Sequence, residues 1–193
     1  MRCCETQANN NCCNAICGCG EQNNDAKKKK IVIDFMYLDL NVCDRCRGTE
    51  SSLEEAVADV KRVLELTGVE VVVNKIHIDS EEKAIQYRFE SSPTIRINGK
   101  DIQLETKESL CESCGDLCGD EVDCRVWIYN GEEYNVPPKA MIIDAILREI
   151  YGSSGSSDNN EDKTEQKYEL PRNLQKFFES VRGKGEKMEK MRV

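Results

Sequence analysis

Ile31-Val32-Ile33-Asp34-Phe35-Met36-Tyr37-Leu38-Asp39-Leu40, followed at once by Asn41-Val42-Cys43-Asp44-Arg45-Cys46, is the stretch on which the fold turns. Its β-branched, aromatic and apolar content predicts a buried strand, and two cysteines separated by two residues close it. A helix is expected next. Leu53, Ala56, Val57, Val60, Val63, Leu64 and Leu66 recur at helical spacing, Thr49-Glu50-Ser51-Ser52 supplies capping groups, and Gly68 supplies a stop. Val69 to Ile78 then predicts a second strand.

Further along, Asp79 or Ser80 caps a short helix running to about Phe89, and Ser92-Pro93 breaks helical geometry before a strand over Thr94 to Ile97. Asn98-Gly99 is a strong two-residue hairpin signal, so Asp101 to Leu104 is expected to pair antiparallel with that strand. Arg125 to Tyr129, Asn130-Gly131 and Glu132 to Val136 predict a second hairpin. Pro137-Pro138 opens a last helix, with Ala140, Ile142, Ile143, Ile146, Leu147 and Ile150 on its buried face. The fold class is therefore α/β, with the apolar residues needed for a core between Ile31 and Tyr151.

Around this domain (31–151) stand a Cys-rich tail (1–30), expected to be flexible unless metal orders it, a Gly/Ser/Asn/acid-rich linker (152–168), and a C-terminal segment (169–193). In that last segment Leu170, Leu174, Phe177, Phe178 and Val181 share one helical face, which predicts an amphipathic helix packed on the domain. The net charge of −9 argues against a nucleic-acid partner, since affinity for phosphate comes from a basic surface. No apolar run is long enough to span a bilayer and no hydrophobic signal core opens the chain, so no membrane partner is expected and the expectation is a cytoplasmic protein.

Twelve cysteines in a reducing compartment point to thiolate chemistry or metal binding rather than to permanent disulfides. They fall in three groups: Cys3, Cys4, Cys12, Cys13, Cys17 and Cys19; then Cys43 and Cys46; then Cys111, Cys114, Cys118 and Cys124. At a helix N-terminus free N–H groups and the helix dipole stabilise a thiolate, which makes Cys43 the natural nucleophile and Cys46 the resolving thiol. Arg45 and Arg47 add positive charge there, and Asp44 opposes it. The third group has the number and type of ligands for a tetrahedral thiolate site holding zinc or another thiophilic metal. Gly115 and Gly119, each following a cysteine, would permit turns that aim backbone N–H groups at bound sulfur. A structural metal site, a second redox pair and a soft-metal receptor all fit its spacing. The tail cysteines have the look of a flexible metal-binding segment. His77 lies among apolar strand residues and reads as a core or edge histidine, and Trp127 and Tyr129 share a strand face as core or rim.

The order strand, helix, strand, helix, antiparallel hairpin, helix resembles the thioredoxin fold, with a Cys-rich insertion before the last helix. More closely, LDLNVCDRCRGT (38–49), SSPTIRINGKDI (91–102) and CESCGDLCGDEVDCRVW (111–127) resemble an uncharacterised thioredoxin-like family, a domain of unknown function. The resemblance implies a cis peptide bond at Pro93, with Ser92 and Pro93 beside Cys43 and Cys46 in a catalytic site. It also implies that the insertion cysteines act together with the first pair. The activity it suggests is thiol–disulfide exchange with protein or small-molecule thiols and disulfides. The second reading is a protein that binds or transfers a soft metal or metalloid. Between the cysteines, Asp-Arg replaces the Gly-Pro of thioredoxins, which leaves the partner open.

Overall fold

The computed structural model describes residues 29–118, 122–152 and 168–190. Most of the Cys-rich tail, most of the linker and the last residues of the C-terminal segment lie outside the described residues. Strand β1 (Lys29–Tyr37) starts two residues before the predicted one and runs parallel to β2 (Val69–His77), in register from Lys29↔Val69 to Tyr37↔His77. Between them α1 (Asp44–Leu66) crosses one face of the sheet.

Helix α1 begins earlier than its Thr49–Ser52 capping groups suggested. Its N-cap is Cys43 itself, and Thr49 and Ser52 are buried within the helix. Their environment explains the difference: Ser52 Oγ donates to the Pro137 carbonyl at 2.6 Å, and a Cβ on Gly48 would meet Val136 Cγ2 at 2.5 Å. Small residues here admit close approach of the chain before the last helix. The helix stops as expected, with Gly68 at φ +75°, where an L side chain would be strained.

Helix α2 (Glu81–Gln86) is capped by Ser80 Oγ, which accepts from Lys83 N, and ends short of Phe89. After a cis Ser92–Pro93 bond, β3 (Thr94–Ile97) pairs antiparallel with β1, and the Asn98-Gly99 turn leads to β4 (Lys100–Asp101). Here β4 is two residues long, against the four expected. The Asp101 carboxylate accepts from Gln103 N at 3.0 Å and turns the chain away, and the Gln103 amide then bonds Glu105 O, Val126 O and Ile128 N. Leu104 is consequently 89 % exposed rather than a strand residue. The strand order β2-β1-β3-β4 completes the first sheet.

A second sheet, β5-β6-β7, carries the insertion. Strand β5 (Lys107–Leu110) and helix α3 (Glu112–Cys118) were not anticipated; β6 (Asp123–Tyr129) and β7 (Glu132–Tyr134) form the predicted hairpin around Asn130-Gly131, β6 starting two residues earlier. Helix α4 (Lys139–Tyr151) buries Met141, Ile142, Ile146 and Ile150 against α1 and β3. Leu147 and Ala140, both expected inside, are exposed, because they share the side of the helix that lies about 120–140° around from Met141 and Ile142.

Two apolar clusters result. One, built on Ile31, Ile33, Phe35, Leu53, Leu64, Ile95, Trp127 and α4, is the main core. The other gathers Met36, Leu38, Ile78, Phe89 and Val122 around the buried cysteines and is roofed by α5 (Arg172–Lys190) through Leu174, Phe177 and Phe178. The Asn173 side chain locks α5 on, bonding both N–H and C=O of Asp123 at 3.0 and 2.7 Å. No helix among the described residues is long and apolar enough to cross a membrane.

Candidate metal and thiol centre

Cys43 reaches its position because the chain turns sharply after β1. The Asp39 carboxylate accepts from Asn41 N at 2.6 Å and Val42 N at 2.8 Å, an Asx turn that delivers Cys43 to the N-cap of α1. There its sulfur accepts from Cys46 N at 3.4 Å. From the other side the β5-β6 pair brings two elements together. Cys124 lies in β6 opposite Ser109, and Cys111, whose N–H extends the ladder to Val122 O at 2.9 Å, opens α3. One turn later stands Cys114, its N–H bonded to Cys111 O at 3.1 Å.

The sulfurs of Cys43, Cys111, Cys114 and Cys124 converge so that all four lie within 4.8 Å of one another, and all four residues are buried. Cys114 and Cys124 are 3.4 Å apart and Cys43 and Cys124 4.0 Å. A disulfide needs about 2.05 Å, and the five cysteines whose side chains are described are free. Zinc–sulfur bonds of about 2.3 Å put the corners of a tetrahedron about 3.8 Å apart. The observed separations bracket that edge, so the donor set fits a tetrahedral thiophilic metal without rearrangement of the backbone.

Cys46 is as buried as its neighbours but stands outside the group of four. Its sulfur lies 3.4 Å from Ser92 Oγ, which also accepts from Leu38 N at 3.2 Å. Ser92 is in turn joined to the second sheet, because its carbonyl accepts from Arg125 N at 2.7 Å. The structure therefore brings Cys43, Cys46, Ser92, Pro93, Cys111, Cys114 and Cys124 to one place. The side chain of Cys118 and the tail cysteines lie outside the described residues.

Electrostatics at the centre are set by the thiols themselves. Cys43 is driven far below the ordinary thiol range because Cys111 foremost, then Cys114, Cys124 and Cys46, donate hydrogen bonds to its sulfur. Cys111 falls to about 7, chiefly through Cys114. Cys46 is raised, first by its bond to Cys43 and then by burial, and Cys114 and Cys124 are raised, each first by Cys111. Cys43 is thus the sulfur that most favours the thiolate, followed by Cys111, in a cluster whose remaining protons a dication would displace.

The arginines act otherwise than their charge suggested. Arg45 spreads its guanidinium over carbonyl oxygens, at 3.3 Å from Ser109, 2.9 Å from Leu110, 3.0 Å from Cys124 and 3.5 Å from Arg125, tying the start of α1 to the β5-β6 pair. Arg47 bonds Asn41 O at 2.8 Å and pairs with Asp44. Gly115 adopts helical backbone and donates to Cys111 O at 2.9 Å rather than to sulfur. His77 bonds Leu38 O at 2.9 Å and stacks on Tyr37, away from the sulfurs. Sequence reading missed the role of Arg45, for which an arginine inside the Cys-x-x-Cys was the available signal. It also missed the buried Arg125–Asp101 pair, next to Cys124 in β6, at 2.8 and 2.9 Å.

Fold and site together define a mixed α/β protein of two sheets with a buried cluster of cysteines at the head of its first helix. The chain belongs to the family described as Domain of unknown function (DUF2703), whose model matches residues 31–146. No curated protein and no solved structure matches it.

Proposed function

We propose that this protein binds a thiophilic metal ion, zinc or a softer one, in a tetrathiolate centre formed by Cys43, Cys111, Cys114 and Cys124. The observation that carries this reading is the convergence of four buried sulfurs within 4.8 Å, drawn from α1, α3 and β6. Four thiolates select soft and borderline cations over magnesium or calcium. When bound, the ion supplies positive charge that offsets several thiolates in an apolar surrounding; the chain's own part is to hold the sulfurs in place and exclude water.

Cobalt titration tests it. A full-length variant with the six tail cysteines changed to serine, reduced and free of chelator, should develop the absorption of a tetrahedral cobalt–thiolate complex, bleached by one equivalent of zinc. Cys114→Ser in the same background should lose the signal. A tail-serine protein that binds neither cobalt nor zinc sinks the proposal.

Thiol–disulfide exchange at Cys43 and Cys46 is the second reading. It is favoured by the Cys46 N–H pointing at Cys43 Sγ at 3.4 Å and by Ser92 Oγ beside Cys46. In it Cys43 attacks a disulfide and Cys46 resolves the mixed disulfide, beside Ser92 and Pro93. Cys43→Ser should then abolish reduction of a small disulfide by the protein; unchanged turnover would exclude this activity.

A further inference from the structure

Cys43 occupies two arrangements at once. It is one corner of the four-sulfur group, and it is the first member of the Cys43/Cys46 pair, whose second thiol lies outside that group against Ser92 Oγ at 3.4 Å. With an ion on the four, Cys46 is the one thiol left without a metal bond among the cysteines whose side chains are described, and it stands one helical turn from a ligand.

We infer that Cys46 is a release thiol: oxidation by a hydroperoxide joins Cys43 to Cys46, withdraws Cys43 from the four-sulfur group and frees the metal. The inference rests on the metal-binding reading above. In the step, one of the two sulfurs attacks the peroxide, the O–O bond breaks, and a sulfenic acid forms as alcohol departs. The partner sulfur then attacks the sulfenic sulfur, the S–S bond forms and the S–O bond breaks. The Cys43 thiolate, the Cys46 thiol, the hydroperoxide and one proton from solvent give the disulfide, the alcohol and water. Two electrons leave the sulfurs and reduce the peroxide.

Several features favour this pair. Cys46 is carried on the same rigid helix start as Cys43, so the bond closes within one turn and needs no movement of the insertion. Cys111, Cys114 and Cys124 are joined to the rest of the site through the β5-β6 ladder and the Arg45 fork, neither of which includes Cys46. Three thiolates then remain, one fewer than a closed structural site uses. A dithiol reductant reverses the step by exchange, restoring Cys43 and the four-sulfur group.

The test uses the reduced, zinc-loaded full chain with a chromophoric zinc chelator and hydrogen peroxide. Wild type should release zinc as a Cys43–Cys46 disulfide appears in peptide mass mapping, and should take zinc up again after dithiothreitol. Cys46→Ser and Cys46→Ala keep the four sulfurs and should load zinc, but release it at least tenfold more slowly. In every protein compared the six tail cysteines are changed to serine, as in the cobalt titration. Release from both Cys46 variants at the wild-type rate, or mapping of the first disulfide to two insertion cysteines, overturns the release thiol while leaving the metal site standing. Failure of the reduced wild type to load zinc overturns the metal-binding reading itself.

Discussion

Replacing Cys124 by serine is expected to weaken zinc binding at the buried centre by at least 100-fold and to erase the stabilisation that zinc confers. Cys124 is the most informative corner, because its sulfur lies 3.4 Å from that of Cys114 and 4.0 Å from that of Cys43, and it takes no part in the Cys43/Cys46 pair. Disturbing only the partners of metal ligands costs about 10–100-fold in affinity. Loss of a ligand, with a hydroxyl in place of a thiolate, exceeds that. Zinc at about 100 times its dissociation constant stabilises the folded chain by about 2.7 kcal/mol, and each kcal/mol moves the melting temperature of a domain this size by about 2–4 °C. Thermal melts with zinc and with chelator, on tail-serine protein, should differ by several degrees for the wild-type site and coincide for Cys124→Ser. Equal zinc-dependent gaps in the two proteins would show that the metal sits elsewhere.

The second large effect is structural and lies on the other face of β6 from Cys124. Arg125 follows Cys124 in β6, its side chain is wholly buried, and its guanidinium is held by both carboxylate oxygens of Asp101 at 2.8 and 2.9 Å. Trp127 offers a ring face 5.2 Å away. Asp101→Ala leaves that cation in the interior without a counter-ion, and breaking a buried pair from one side costs about 3–5 kcal/mol. Asp101 keeps some exposure, which favours the lower end of that range. Urea denaturation in the presence of chelator should show the loss. Arg125→Met in the Asp101→Ala background should recover part of it, since the unpaired charge, rather than the missing bond, is the main penalty. A loss below about 1 kcal/mol would mean that water reaches Arg125.

Much of this architecture was legible. The run from Ile31 to Leu40, the periodicity of α1 and α4, and two Asn-Gly turns with positive φ at Asn98 and Asn130 are strong local signals, and the structure follows them. Strand β5 was not legible because Lys107-Glu108-Ser109-Leu110 is polar, half-exposed and free of β-branched residues. Its strand state comes from pairing with β6, a tertiary cause. The start of α1 was masked in the same way: Thr49 and Ser52 have the chemistry of caps, but a buried partner such as the Pro137 carbonyl can satisfy a hydroxyl inside a helix. At the site, cysteine spacing pointed to the insertion group as a local unit. The four-sulfur group takes Cys43 as well, from more than sixty residues away; spacing could not show this, the family resemblance implied that the insertion cysteines act with the first pair, and the Arg125 N–H to Ser92 carbonyl bond ties β6 to the turn before β3 beside them.

The Arg45 fork has a bearing on how the centre is used. Small zinc modules gather their ligands only when the ion arrives, so emptying them unravels the chain. Here a single guanidinium staples the head of α1 to both strands that flank the cysteines, and α5 closes the roof. On the metal-binding proposal, these contacts would keep the walls of the socket in place without an ion: loading would cost little ordering of the chain, unloading would not demand refolding, and the molecule would suit repeated rounds of capture and delivery.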